Sequence, residues 1–170
     1  NNLRLEIRER FANPAEIAVF CGTRYALGVA SGADALMLSM RALAIGPGDE
    51  VITAPNSFIA SAWTNVAVGA KPVFADVGED YNIDPARVEA AITSRTRAIM
   101  PVHLTGRPAR MDELQAICER HGLKLVEDAA QAIGASYKGL RTGSFGATAC
   151  FSLHPLKNLN VYGDGGVITT

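Results

Sequence analysis

The chain has 170 residues, a net charge of −1, and 48% apolar against 19% charged residues. That length supports one domain with a real core, and the charge excludes the basic excess that binding a nucleic-acid backbone requires. No apolar run reaches the length of a membrane span, and the opening NNLRLEIRER is too charged for a signal peptide. Three widely spaced cysteines, Cys21, Cys118 and Cys150, suit reduced thiols in a cytoplasm better than a disulfide framework. With three histidines they show no zinc-like spacing, so no metal is expected. The chain lacks an initiating Met and stops inside GVITT, so both ends read as cuts in a longer protein.

In chain order, a helix is expected within residues 1–18, followed by β-rich runs alternating with amphipathic helices. The strand Tyr25–Ala30 feeds a helix over Ala33–Ala44, with Leu36, Met40 and Leu43 on one face and Gly46 placed to end it. The strands Glu50–Ala54 and Pro72–Asp76 come next. Asp84-Pro85 is a helix start, an N-cap followed by proline at the first helical position, with Val88, Ala91 and Ile92 as the buried stripe. The strand Ala98–Val102 precedes a helix over Met111–His121, which turns Leu114, Ile117 and Cys118 inward and ends at Gly122. The remaining strands are Lys124–Glu127, Ala147–Phe151 and Gly166–Thr170, separated by the turn-rich segments GLRTGSFG and GDGG. Seven strands interleaved with about four helices predict an α/β fold, a mostly parallel sheet flanked by helices.

In such a sheet ligands bind beyond the carboxyl ends of the strands, so the informative residues are those that follow strands. Ser31-Gly32-Ala33-Asp34 joins a strand to a helix, where free N–H groups form an anion site; a plain capped turn explains it equally. Asp128 ends a strand and could keep a pyridinium nitrogen protonated, or simply cap the next turn. Its neighbour Glu127 must point to the opposite face of the sheet, so only one of the two reaches a shared site. Ser152 and Lys157 follow another strand in a loop stiffened by Pro155. Flanking Leu156 and Leu159 make Lys157 a candidate for desolvation and Schiff-base chemistry, against the alternative of a surface lysine lying over apolar neighbours. His103 reads as structural, His121 as a cation at a helix C-terminus, and Phe58 as a stacking or core aromatic.

The order of these signals carries more than any one of them. The segments CGTRYALGVASGADAL, GDEVITAPNSFIASA, KPVFADV, PVHLTG, VEDAAQAIGA and FSLHPLKNLNVYGDGGVITT resemble the DegT/DnrJ/EryC1 aminotransferases, which depend on pyridoxal 5′-phosphate (PLP) and have its fold type I. The resemblance runs from Cys21 to Thr170. It implies that residues 1–170 are an incomplete cofactor-binding large domain, without the smaller C-terminal domain. It further implies that Lys157 forms the Schiff base and shuttles a proton, and that Asp128 pairs with the pyridinium nitrogen. Gln131 would lie by the phenolic oxygen and Phe58 over the ring, while Ser152 with the backbone of Gly32 and Ala33 would hold the phosphate. Three positions depart from the family pattern: Ala33 stands for a common threonine, Thr105 for a tyrosine and Ile133 for a histidine.

The implied activity moves an amino group from an amino acid, with glutamate the expected donor, to a nucleotide-linked keto-sugar in a homodimer with shared active sites. The alternatives are a non-nucleotide cyclic ketone of the inosose or aminoshikimate type, and a non-catalytic binding or regulatory protein of the same fold.

Overall fold

The computed structural model describes residues 13–170. The part of the expected first helix before Asn13 lies outside the described residues. Helix α1 spans Pro14–Cys21; the Asn13 side chain accepts the Glu16 N–H, proline occupies the first turn, and Gly22 closes the helix in the left-handed region. Strand β1 (Ala26–Val29), helix α2 (Gly32–Ala42), strand β2 (Glu50–Thr53), helix α3 (Ala60–Ala67) and strand β3 (Lys71–Phe74) follow. Helix α4 (Pro85–Ala90), strand β4 (Thr96–Met100), helix α5 (Met111–His121) and strand β5 (Lys124–Asp128) continue the alternation. A small hairpin, β6 (Ser136–Tyr137) and β7 (Leu140–Arg141), precedes β8 (Thr148–Ser152) and β9 (Gly166–Thr169).

Seven strands form one sheet in the order β1-β9-β8-β5-β4-β2-β3. Only β9 runs against its neighbours; the other pairings in this sheet are parallel. The expected α/β fold with a mostly parallel seven-stranded sheet is therefore the observed one.

Alternation along the strands divides the core into two faces. Val51, Ala98, Met100, Val126, Cys150 and Ile168 point toward α2, meeting Ala35, Leu36 and Met40. Their neighbours Ile52, Ile99 and Leu125 point the other way, against Val88 of α4 and Met111, Leu114 and Ile117 of α5. Ala149, Phe151 and Val167 pack with Ile17 and Cys21 of α1 on the other side of β8 and β9 from Cys150 and Ile168. Because both faces are covered, the middles of the central strands are apolar on consecutive residues, as in Val51-Ile52, Ala98-Ile99-Met100 and Leu125-Val126. All three cysteines are buried and unpaired, and burial pushes the thiols of Cys21 and Cys118 up to about 12.

Three local expectations need correction. Helix α2 ends at Ala42, before Gly46, because Ala44 itself takes the left-handed turn at φ 57° and lets the Ile45 N–H reach Met40 O. Helix α3 was not expected. It buries Ser61, Thr64 and Asn65, while Ile59 at its N-cap and Trp63 and Val66 on it face solvent, inverting the usual pattern. Helix α4 stops at Ala90, although Ala91 and Ile92 still pack on the core. Among the described residues no helix is long and apolar enough to cross a membrane.

Candidate active site

A cavity of about 410 Å³ opens where β1, β5 and β8 end and α2 begins. Gly32, Ala33, Phe58, Asp128, Gln131, Ser152 and Lys157 all line it. All seven residues singled out from the sequence meet in one place.

The α2 end of the cavity is built for an anion. Ser31 caps the helix by accepting the Asp34 N–H at 3.0 Å, which leaves the N–H groups of Gly32 and Ala33 without an acceptor among the described residues. Two amides and a helix dipole then face the same space as the Ser152 hydroxyl. Glycine is required here by contact. A Cβ on Gly32 would lie 2.7 Å from Ser152 Cβ, and one on Gly166 would run into Ser31 O. These two close approaches bring the start of α2 against the ends of β8 and β9.

Asp128 supplies the opposite charge. Ser61 Oγ donates to its Oδ2 at 2.7 Å and the Ala130 N–H reaches Oδ1 at 3.2 Å. No ammonium or guanidinium group pairs with it among the described residues. Burial pushes its carboxyl up; the Ser61 and Ala130 hydrogen bonds and the positive charge of Lys157 oppose that. A buried carboxylate with hydrogen bonds but no cation is suited to receive one from a ligand.

Glu127, one residue earlier, takes the other face as alternation demands. It accepts the N–H groups of Gly143 (2.9 Å), Phe145 (2.7 Å) and Gly146 (2.9 Å), and lies 3.1 Å from His103 Nε2. The Ala109 N–H donates to His103 Nδ1, so the ring proton sits on Nε2 and points at Glu127. Both side chains are fully buried, and both hold loops in place. His103 is structural, as its position at a strand end suggested.

Lys157 sits half-buried on the cavity wall, its backbone N–H bonded to His154 O in a tight turn. The flanking leucines do not enclose it as the sequence suggested: Leu159 is in the core, but Leu156 is 88% exposed. Gln131 is held by its side-chain oxygen, which accepts the Thr105 N–H at 2.8 Å. That bond leaves the amide nitrogen as the free donor. Thr105 reaches it from a left-handed turn, φ 54°, and Ile133 packs beside the α1 core cluster. Phe58 lies at the rim, 69% exposed. Ser61 escaped the sequence reading because a serine inside an unexpected helix carries no pattern of its own.

Free helix-start amides beside a hydroxyl, an uncompensated carboxylate, an amide donor, an exposed aromatic face and a primary amine surround one space. They fit a flat, phosphorylated cofactor with a basic ring nitrogen, and PLP has those groups. The family model described as the DegT/DnrJ/EryC1/StrS aminotransferase family matches residues 8–170.

The chain belongs to that family.

Its members depend on PLP. Among curated relatives, the dTDP-3-amino-3,4,6-trideoxy-alpha-D-glucose transaminase of Streptomyces venezuelae is 54% identical over 92% of this chain and 41% of its own length. The UDP-N-acetyl-3-dehydro-alpha-D-glucosamine 3-aminotransferase of Acidithiobacillus ferrooxidans is also 54% identical, over 92% of this chain and 42% of its own. The crystal structure of S. venezuelae DesV, solved with a ketimine intermediate, superposes with a TM-score of 0.90 at 53% identity, covering 92% of this chain and 43% of DesV. The chain thus spans well under half the length of these relatives.

Proposed function

We propose that this chain is the cofactor-holding large domain of a PLP-dependent aminotransferase that moves an amino group from an amino acid, glutamate first among candidates, to a nucleotide-linked keto-sugar. The observation that carries the reading is the convergence of Lys157, Asp128, Gln131, Ser152 and the amides of Gly32 and Ala33 on one cavity. When bound, PLP supplies the electron sink for the transfer. Gly32, Ala33 and Ser152 hold the phosphate, and Asp128 keeps the ring nitrogen protonated. The Gln131 amide donates to the phenolic oxygen, and Phe58 covers one face of the ring. Lys157, the primary amine on the cavity wall, would hold the cofactor and, as a free amine, would move a proton at the reacting carbon of the substrate.

Both curated relatives carry names that place the amino group at carbon 3. Carbon 3 of a keto-sugar nucleotide is accordingly the position proposed here. The exposed apolar side chains Phe58, Ile59, Trp63 and Val66 continue from the cavity rim along α3, and a second copy of the chain is proposed to cover them and close the site. The buried, unpaired thiols fit a cytoplasmic setting.

Adding glutamate to the PLP-loaded full-length protein should shift the cofactor absorbance, and a 3-keto-sugar nucleotide should reverse the shift. No change with glutamate counts against an aminotransferase. A response to glutamate with reversal only by 4-keto substrates overturns the carbon assignment.

A further inference from the structure

Ser61 is 1% exposed, projects from the first turn of α3, and lines the cofactor cavity. Its hydroxyl has two neighbours, Asp128 Oδ2 at 2.7 Å and Ser57 Oγ at 2.9 Å. Proton counting fixes the direction of this chain. An ionised carboxylate only accepts, so the Ser61 proton goes to Asp128 and the Ser57 hydroxyl must donate to Ser61. Ser57 is half-buried and immediately precedes Phe58. One line of hydrogen bonds therefore joins the segment carrying the rim aromatic to the carboxylate at the cavity floor.

We infer that Ser61 is a positioning residue: it aims Asp128 at the ring nitrogen of the cofactor, keeps the shared proton on that nitrogen, and ties the position of Phe58 to Asp128 through Ser57. The inference rests on the PLP reading above.

The physical reason is competition for one proton. A carboxylate and a pyridine nitrogen in contact share it according to their relative basicities. A hydroxyl donating to the carboxylate lowers its basicity and leaves the proton on the ring. Burial acts in the opposite sense on Asp128, and the Ser61 bond is the strongest opposing influence, ahead of the Ala130 amide and the more distant Lys157. Glu127 is engaged on the other face of the sheet and takes no part.

The test uses full-length protein loaded with PLP labelled with ¹⁵N in the ring, as wild type, Ser61→Ala and Ser57→Ala. The ring ¹⁵N resonance reports protonation directly, and PLP affinity is titrated alongside. Wild type should show a protonated ring. In Ser61→Ala the resonance should move toward the unprotonated position and PLP should bind about tenfold more weakly, the range for losing a hydrogen bond to a charged group. Ser57→Ala should move the resonance in the same direction by less. Unfolding of the apo variants monitors the fold, and a resonance shift in Ser57→Ala supports the inference even where Ser61→Ala unfolds. A protonated ring in both variants, at wild-type affinity, overturns the inference and leaves the PLP reading standing. Wild type that binds no PLP overturns both.

Discussion

Replacing Glu127 with glutamine should destabilise the fold while leaving the cofactor site in place, and the size of the effect follows from the contacts. Glutamine keeps one carbonyl oxygen, which can retain the Phe145 and Gly146 N–H groups that now reach Oε1. The new amide nitrogen then faces the Gly143 N–H and His103 Nε2, where a carboxylate oxygen stood. His103 cannot relieve the clash by changing tautomer, because Nδ1 already accepts the Ala109 N–H. Two buried donors lose their acceptor at about 1–3 kcal/mol each, or roughly 2–6 kcal/mol together. That is a large share of the ~5–15 kcal/mol that holds a typical domain folded. Urea unfolding of the apo full-length protein reads the loss, and a PLP titration on the folded fraction should match wild type. An unchanged midpoint would refute the assignment of Glu127 as the buried anchor of residues 143–146. A large loss of PLP affinity with normal stability would mean that the two acids have been given each other's roles.

Asp128→Asn should behave in the opposite way. The folded carboxyl is raised above its unfolded value of about 3.9, so the folded state holds its proton to higher pH, and this group's contribution to stability falls as pH rises from that value through the folded pKa. In the apo form of the Asp128→Asn variant that decline with pH should shrink, as pH-dependent unfolding would show, while PLP binding weakens. Gly32→Ala drives a methyl to 2.7 Å from Ser152 Cβ and 3.1 Å from its Cα, and overpacking of that kind costs about 1–3 kcal/mol. PLP affinity by fluorescence titration should fall accordingly, and an unaltered value would exclude this turn as the phosphate cradle. Phe58→Ala should leave stability nearly unchanged, since the ring is 69% exposed, but remove a stacking contact of ~0.5–1.5 kcal/mol from PLP binding.

The seven strands were legible in the sequence because each is a short apolar run bounded by turns, and the cavity followed from which residues end them. Helix α3 was not legible: its solvent face carries Trp63 and Val66 and its buried face carries Ser61, Thr64 and Asn65. There Thr64 Oγ1 bonds Ala60 O and Asn65 Nδ2 bonds Ser61 O, satisfying polar groups within the helix where a pattern reading expects apolar ones. The reversed direction of β9 was not legible either: the chain returns to β8 through the long loop 153–165, and Gly166 packs on the Ser31 backbone, a contact no local propensity encodes. Alternation gave Asp128 and Glu127 opposite faces but not the hydrogen bonds each finds there. The expectation for Lys157 failed in one respect, because adjacent leucines in a turn need not point the same way as the lysine between them.

The most direct test of the central claim is the absorbance spectrum of the full-length protein with PLP, wild type against Lys157→Ala, before and after borohydride reduction. A visible band in wild type alone, with the cofactor fixed to Lys157 on reduction and located there by peptide mass spectrometry, is the predicted result. A band that is missing from wild type, or that persists unchanged in Lys157→Ala, would contradict the assignment of this cavity as a PLP site built around that lysine.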